Sequence, residues 1–438
     1  MEARLFERLR KARQRARESS AVRALRETCR TLLGERGEAN SVKFAARLIE
    51  QYRALGSEAR AELFDILAGE FAPDPAQVLE RARRYAESAS AETLHPLLEV
   101  TEPPRQELMR RINRAPEGTA TLLAMRSELL RELKRKPELA AVDADFRHLL
   151  ASWFNPGFLA LVRVDWGSPA RLLEQIIRHE AVHAIRDWTD LRRRLEPDRR
   201  CFAFLHPALP EDLLIFVEVA LTDAMADSIE PLLADGPSGV PPERARCAVF
   251  YSISNCQPGL RGVSLGNFLI KQVCERLKGE FPRLNQFCTL SPMPGFAAWL
   301  RSGAPLEAGG LRRRATERIE SARKALQSAF GELREPPALA ALQGADKALR
   351  EALLTLGAAY LLRAGERDAA TDPVARFHLN NGARIERLNF LANGSARGLR
   401  ESWGLMVNYV YDLARIERYH QSFVHGRVEA AREVVNQL

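Results

Sequence analysis

The chain has 438 residues, with 65 lysines and arginines against 57 aspartates and glutamates, a formal charge of +8, and 46% hydrophobic residues. This is the composition of a globular protein with room for two or three domains, and it excludes a disordered or low-complexity polymer. No apolar run reaches the about 18 residues of a membrane span, so neither a membrane anchor nor, for want of an apolar centre near the N-terminus, a secretory signal is expected.

From residue 1 to about 148 the pattern reads as helix after helix. Breakers separate the segments: GERGEAN at 34–40, FAPDP at 71–75, EPP at 102–104, APEG at 115–118 and KP at 136–137. Leu122, Met125, Leu129, Leu130 and Leu133 follow the 3.6-residue period of a helix face. His95 is the one histidine before the boundary region, and no cluster of reactive side chains accompanies it. A helical bundle devoted to packing or to self-association, as a dimer or tetramer, is the expectation for this part. Its basic run KARQRAR, like LRRRATER near 315, reads as a solvated helix face. Aromatic residues are not interleaved with either run, so nucleic acid is not an expected partner.

The character changes near WFNPGFLALVRVDW, where β-branched and aromatic residues take over. Strands are predicted at 201–207 (CFAFLHP), 213–221 (LLIFVEVAL), 247–255 (CAVFYSISN) and 287–292 (FCTLSP). A helix is predicted over LGNFLIKQVCERLKG, with Leu265, Phe268, Leu269, Val273 and Leu277 on one stripe. From about residue 311 the chain reads as mostly helical again, interrupted at REPP and around FHLNNGAR.

Between the first two features lies HEAVH, residues 179–183. Two histidines four apart on a helix could present His179 and His183 to one Zn²⁺, with Glu180 activating water. The third ligand is missing. The pattern with a downstream histidine needs Gly at 186 and His at 189, where the chain has Arg186 and Thr189; Glu218 falls inside a predicted strand; and DLRRRLEPDRR would repel a dication. An amphipathic helix whose histidines serve other purposes is expected instead, and no metal. The six cysteines, at 29, 201, 247, 256, 274 and 288, lack CxxC spacing, which suggests a reducing compartment, the cytoplasm.

The loop QPGLRGVSLG, 257–266, carries three glycines between a predicted strand and a predicted helix start. Unpaired amides and the helix dipole there form an anion site, and glycine lets a diphosphate approach the backbone. Ser291, before a proline, could merely end a strand; His378 could be an interior histidine and Tyr411 a core aromatic.

The loop resembles the diphosphate loop of the acetyltransferase superfamily that binds coenzyme A, except that Leu260 stands where glycine is usual. A closer resemblance is to the malonyl-CoA decarboxylase family. It is carried by SPARLLEQIIRHEAVH, RRCFAFLHP, SISNCQPGLRGVSLGNFLIK, TLSPMPGF, DPVARFHLNNGA and GLMVNYVY, in that family's order, over roughly residues 146–411. The resemblance implies an α+β chain: an all-helical bundle, 1–148, followed by an acetyltransferase-like (GNAT-like) mixed α/β catalytic domain, 149–438, with C-terminal helices. It implies decarboxylation of malonyl-CoA to acetyl-CoA and CO₂ without metal or organic cofactor. Ser291 and His378 match the catalytic pair, Tyr411 a supporting tyrosine, and Arg261, Gly262, Val263, Ser264, Leu265, Gly266 and Asn267 the coenzyme loop. Animal members have glutamate at the place of Ser264. Acyl transfer from coenzyme A and a zinc hydrolase are the alternatives.

Overall fold

The structure, a computed structural model, describes residues 2–236, 240–263, 265, 269–303, 313–363 and 372–438, with side chains from residue 18 onward. The chain divides into two units, one made of residues 1–159, 206–210 and 257–265, the other of 160–205, 211–256 and 266–438.

The first unit is helical: α1 (Glu2–Gly34), α2 (Glu38–Ala54), α3 (Ser57–Gly69), α4 (Pro75–Glu87), α5 (Ala91–Thr101), α6 (Pro104–Asn113), α7 (Gly118–Glu132) and α8 (Ala140–Trp153). Every predicted breaker falls between helices, and Gly56 adds a division, α2 from α3, that the apolar period did not reveal. Leu122, Met125 and Leu129 of α7 are buried as their spacing requires. Arg105 is buried within the bundle, where its Nε donates to Asp145 at 2.5 Å and its Nη1 to the Leu67 carbonyl at 3.2 Å. Those bonds offset the cost of taking the guanidinium out of water. α4 and α5 differ from the rest. Asp74 and a Ser90–Thr93 capping box start them, yet neither carries a buried residue, and Leu79 and Leu98 are exposed.

The second unit is built on one mixed sheet of β1 (Ala160–Val164), β2 (Arg199–Leu205), β3 (Ile215–Thr222), β4 (Cys247–Asn255), β5 (Gln286–Thr289), β6 (Ser291–Pro292), β7 (Arg384–Asn389) and β8 (Met406–Val410). The order is β1-β2-β3-β4-β5-β8-β6, with β7 also on β8. All pairs are antiparallel except β4 with β5. Around it lie α9 (Ala170–His179), α10 (Trp188–Arg194), α11 (Glu230–Leu233), α12 (Leu269–Glu280), α13 (Phe296–Arg301), α14 (Arg313–Phe330), α15 (Leu339–Gln343), α16 (Lys347–Leu362), α17 (Pro373–Asn380), α18 (Ala396–Ser402), α19 (Ile416–Val424) and α20 (Arg432–Val435). The parallel step from β4 to β5 runs through α12, because parallel neighbours need a crossover and not a tight turn. Leu269, Ile270, Val273, Cys274 and Leu277 bury the inner face of that helix.

The α+β architecture matches the sequence expectation. Two strands do not: β7 and β8 lie in the stretch expected to be helical, and β8 is the strand against which β5, β6 and β7 all pair. Among the described residues no helix is long and apolar enough to cross a membrane.

Candidate active site

Ser291 is placed by β6, whose residues Ser291 and Pro292 pair with Val407 and Met406 of β8. His378 stands in the last turn of α17, not in a loop. That helix begins at Asp372, whose carboxylate caps the Val374 and Ala375 amides ahead of Pro373 in the first turn. It ends at Gly382, where φ is +76° and a Cβ would lie 2.3 Å from the Ile416 carbonyl, so only glycine fits. Tyr411 follows β8, its amide donating to the Phe287 carbonyl at 2.9 Å.

These three elements bring Ser291, His378 and Tyr411 together. Ser291 Oγ is 3.0 Å from His378 Nε2, and Tyr411 Oη is 2.7 Å from His378 Nδ1. Ser291 donates its hydroxyl proton to Thr289 Oγ1 at 2.9 Å. With that proton committed, Nε2 carries the hydrogen towards Ser291, and Nδ1 accepts from the Tyr411 hydroxyl. All three residues are buried, and Tyr409 stacks on the imidazole with ring centroids 4.6 Å apart. Burial without a charged partner pushes His378 down to about 3, so the imidazole of the free protein is neutral at neutral pH. Thr289 and Tyr409 were not singled out from the sequence. Each lies two residues from a predicted site residue, in TLS and NYVY, and only strand pairing aims them at the site.

The pair faces a cavity of about 230 Å³. Its wall is formed by Ser252, Asn255, Ser291 and His378 among apolar groups that include Val182, Phe250, Pro292, Val374 and Phe377. None of the described lining residues is cationic.

HEAVH departs from the helical expectation. α9 stops at His179, so the four-residue helical spacing of the histidines is not formed. The Glu180 carboxylate turns back and accepts from the Val182 and His183 amides at 2.8 and 2.7 Å and from the Ser252 and Ser254 hydroxyls at 2.7 and 3.1 Å. A carboxylate so engaged anchors this turn to β4; it is not poised to activate water. His183 is buried and pushed down to about 3, by burial and then by the nearby Arg194. Nor is DLRRRLEPDRR a free cationic stretch. Arg193 and Arg199 are buried on Asp198, Arg194 on Glu218 and Asp190, and Arg200 on Glu280. Glu218 lies in β3 as expected, and burial raises it to about 8 against the pull of Arg194. Among the described residues no group of three or more His, Cys, Asp and Glu is arranged to hold a metal.

Of the loop residues, Arg261 and Gly262 are exposed, Val263 is half-buried and Leu265 is buried. Gly262 has φ of +73°, the backbone region that favours glycine. The Val263 amide closes a turn on the Leu260 carbonyl at 2.9 Å. Ser264, Gly266 and Asn267, like Phe268, lie outside the described residues.

A mixed sheet with one helix-bridged parallel step, bearing a buried serine–histidine pair between β6 and α17, defines an acetyltransferase-like enzyme. Comparison with known proteins narrows this. Residues 157–438 match the family model described as malonyl-CoA decarboxylase C-terminal domain, and residues 71–154 match the corresponding N-terminal domain. Mitochondrial malonyl-CoA decarboxylase of Anser anser anser is 35% identical over 84% of this chain and 78% of its own; that of Rattus norvegicus is 35% identical over 89% and 84%. The crystal structure of malonyl-CoA decarboxylase from Rhodopseudomonas palustris superposes with a TM-score of 0.83 at 45% identity, covering 95% of this chain and 99% of that one. The structure from Agrobacterium vitis gives 0.80 at 42%, covering 94% and 99%. The chain belongs to the malonyl-CoA decarboxylase family.

Proposed function

We propose that this chain converts malonyl-CoA to acetyl-CoA and CO₂, with Ser291 and His378 as the residues that meet the acyl group. The observation that carries the assignment of the site is their 3.0 Å contact on the wall of a cavity without a described cation. Family membership supplies the reaction.

The bond between the carboxyl carbon and the α-carbon breaks. Its electron pair passes to the α-carbon and the thioester oxygen as an enolate, CO₂ departs, and the α-carbon takes up one proton. A carboxylate is poorly solvated among Val182, Val374 and Phe377, whereas CO₂ is indifferent to that environment, so the cavity favours the product side. Ser291 turns its hydroxyl from Thr289 to the carboxylate and donates to it as it leaves. An anionic acyl group beside His378 favours its charged form, so substrate binding draws a proton from solvent onto Nδ1, where the Tyr411 hydroxyl turns to accept, and Nε2 then gives its own proton to the α-carbon. Tyr411 holds the ring through Nδ1. The loop 261–267, with the Arg261 cation, grips the coenzyme diphosphate.

The thioester itself is the electron sink, so no metal or organic cofactor takes part in this scheme; full activity after exhaustive chelation is the expected result. The division of labour assigns residues 1–148 to packing and self-association, as a dimer or tetramer, and 149–438 to chemistry. Buried free thiols fit a reducing compartment, the cytoplasm, which cell fractionation tests. The decisive measurement of function is the product formed from malonyl-CoA by purified protein with no acceptor present. Release of CO₂ with acetyl-CoA supports decarboxylation; an intact malonyl-CoA pool that is consumed only when an amine is added assigns acyl transfer instead.

A further inference from the structure

The start of the glycine loop, residues 257–265, belongs with the helical unit. Pro258–Leu260 form one 3-10 turn, and Leu260 and Leu265 are buried on either side of the exposed tip at Arg261 and Gly262. Arg126 of α7 fastens this turn. Its side chain is 1% exposed; Nε donates to Asp143 of α8 at 2.9 Å, and Nη1 donates to the Gly259 carbonyl at 2.5 Å. Gly259 has no space for a side chain, because a Cβ there would lie 2.3 Å from the carbonyl oxygen of Leu123, also in α7. Neither contact partner can yield cheaply, since one is helix backbone and the other a buried, charge-assisted bond. The first glycine of the loop therefore serves contact with a helix, and not close approach of a phosphate.

We propose that Arg126 is a positioning residue for coenzyme binding: through Gly259 it fixes the turn that presents Arg261 to the diphosphate. The proposal rests on the reading of that loop as the diphosphate site. It gives the helical unit a part in substrate binding, beyond packing and self-association.

The test compares malonyl-CoA with malonyl-pantetheine, which has the same reacting end but no diphosphate. Arg126→Lys keeps a cation opposite Asp143 and loses the fork that reaches Gly259. The expected result is a fall of about tenfold in kcat/KM for malonyl-CoA, carried by KM, with malonyl-pantetheine unaffected. Equal losses on both thioesters, as a merely structural role would give, or no loss on either, overturn the proposal. Arg261→Ala separates it from the reading beneath. A selective loss in that variant with none in Arg126→Lys sinks the clamp alone; no selective loss in either variant removes the diphosphate assignment and the clamp with it. Should Arg126→Lys fail to fold, hydrogen exchange in the unaltered protein decides. Coenzyme A is expected to slow exchange in α7 where pantetheine does not, and identical exchange with the two ligands overturns the clamp.

Discussion

Asp372 accepts a hydrogen bond from the Gly295 amide at 3.1 Å, so the helix that carries His378 and the turn that follows Ser291 are tied to one buried carboxylate. The same carboxylate caps α17 and accepts from the Tyr360 hydroxyl at 3.0 Å. Gly295 must lack a side chain here, since a Cβ would fall 2.2 Å from the Tyr360 oxygen. Ser291 and His378 are thus held in register through neighbours that do not line the cavity.

Replacing Asp372 with Ala strips the cap and leaves the Gly295 amide and Tyr360 hydroxyl unpaired. Stability is expected to fall by roughly 2–3 kcal/mol in denaturant unfolding. Turnover is expected to fall more steeply than KM rises, because the Ser291 to His378 distance is what loosens. Activity equal to that of the unaltered protein would show that the two elements hold their spacing without this link.

In the proposed mechanism His378→Ala and Ser291→Ala each remove a group that meets the acyl end. Losses of about 10²–10⁴-fold in kcat are expected, with coenzyme A affinity retained in equilibrium binding. Tyr411→Phe leaves Nδ1 without its donor and the ring free to turn, for which a loss of about tenfold in kcat at constant KM is expected. A phenylalanine variant with unimpaired kcat removes the tyrosine from the mechanism.

Two buried histidines set an acid limit on stability. His378 and His183 both sit near 3 in the folded chain and return to their ordinary value of about 6.5 on unfolding. Between those values the unfolded chain binds the extra protons, so stability rises with pH and falls as pH drops from about 6.5 towards 3. Each histidine contributes up to about 1.4 kcal/mol per pH unit across that window. His183→Asn is expected to flatten the curve of unfolding free energy against pH by one proton's worth; an unchanged slope would show that His183 is protonated in the native fold. In kinetics, kcat/KM is expected to show no inflection from His378 above about pH 5, whereas kcat declines as pH rises through the higher value His378 acquires beside the acyl carboxylate.

α4 and α5 form a helical pair with no buried residue, and Leu79 and Leu98 stand about half exposed on it. If this pair is the self-association surface, Leu79→Asp together with Leu98→Asp is expected to lower the molecular mass seen by sedimentation, with folding preserved, since neither position contributes to a core. An unchanged mass rules this pair out as such a surface.

Much of the fold is legible in the sequence because the central strands are buried on both faces. CFAFLHP, LLIFVEVAL and CAVFYSISN are nearly unbroken apolar runs, and the structure pairs all three. β7, RIERLN, is only partly buried and carries three charges, so its alternation is masked; β8 is five residues long. The end of α9 at His179 was hidden for another reason. What stops the helix is capture of Glu180 by Ser252 and Ser254, more than 70 residues away, and no local rule contains that contact. Ser291, His378 and Tyr411 are likewise separated by 87 and 33 residues. Each looks ordinary alone; their ordered family segments, and not their spacing, made them candidates.

A chamber whose described walls carry no standing charge while His378 is neutral also dictates what would lodge in it and stay. In the proposed scheme an inhibitor that imitates the malonyl group with a permanent anion stays only at the cost of keeping His378 protonated, a cost the substrate escapes by shedding CO₂. Uncharged, planar surrogates that still offer an acceptor to Ser291 would sit there without that handicap, which makes neutrality the first property to seek in a ligand for this enzyme.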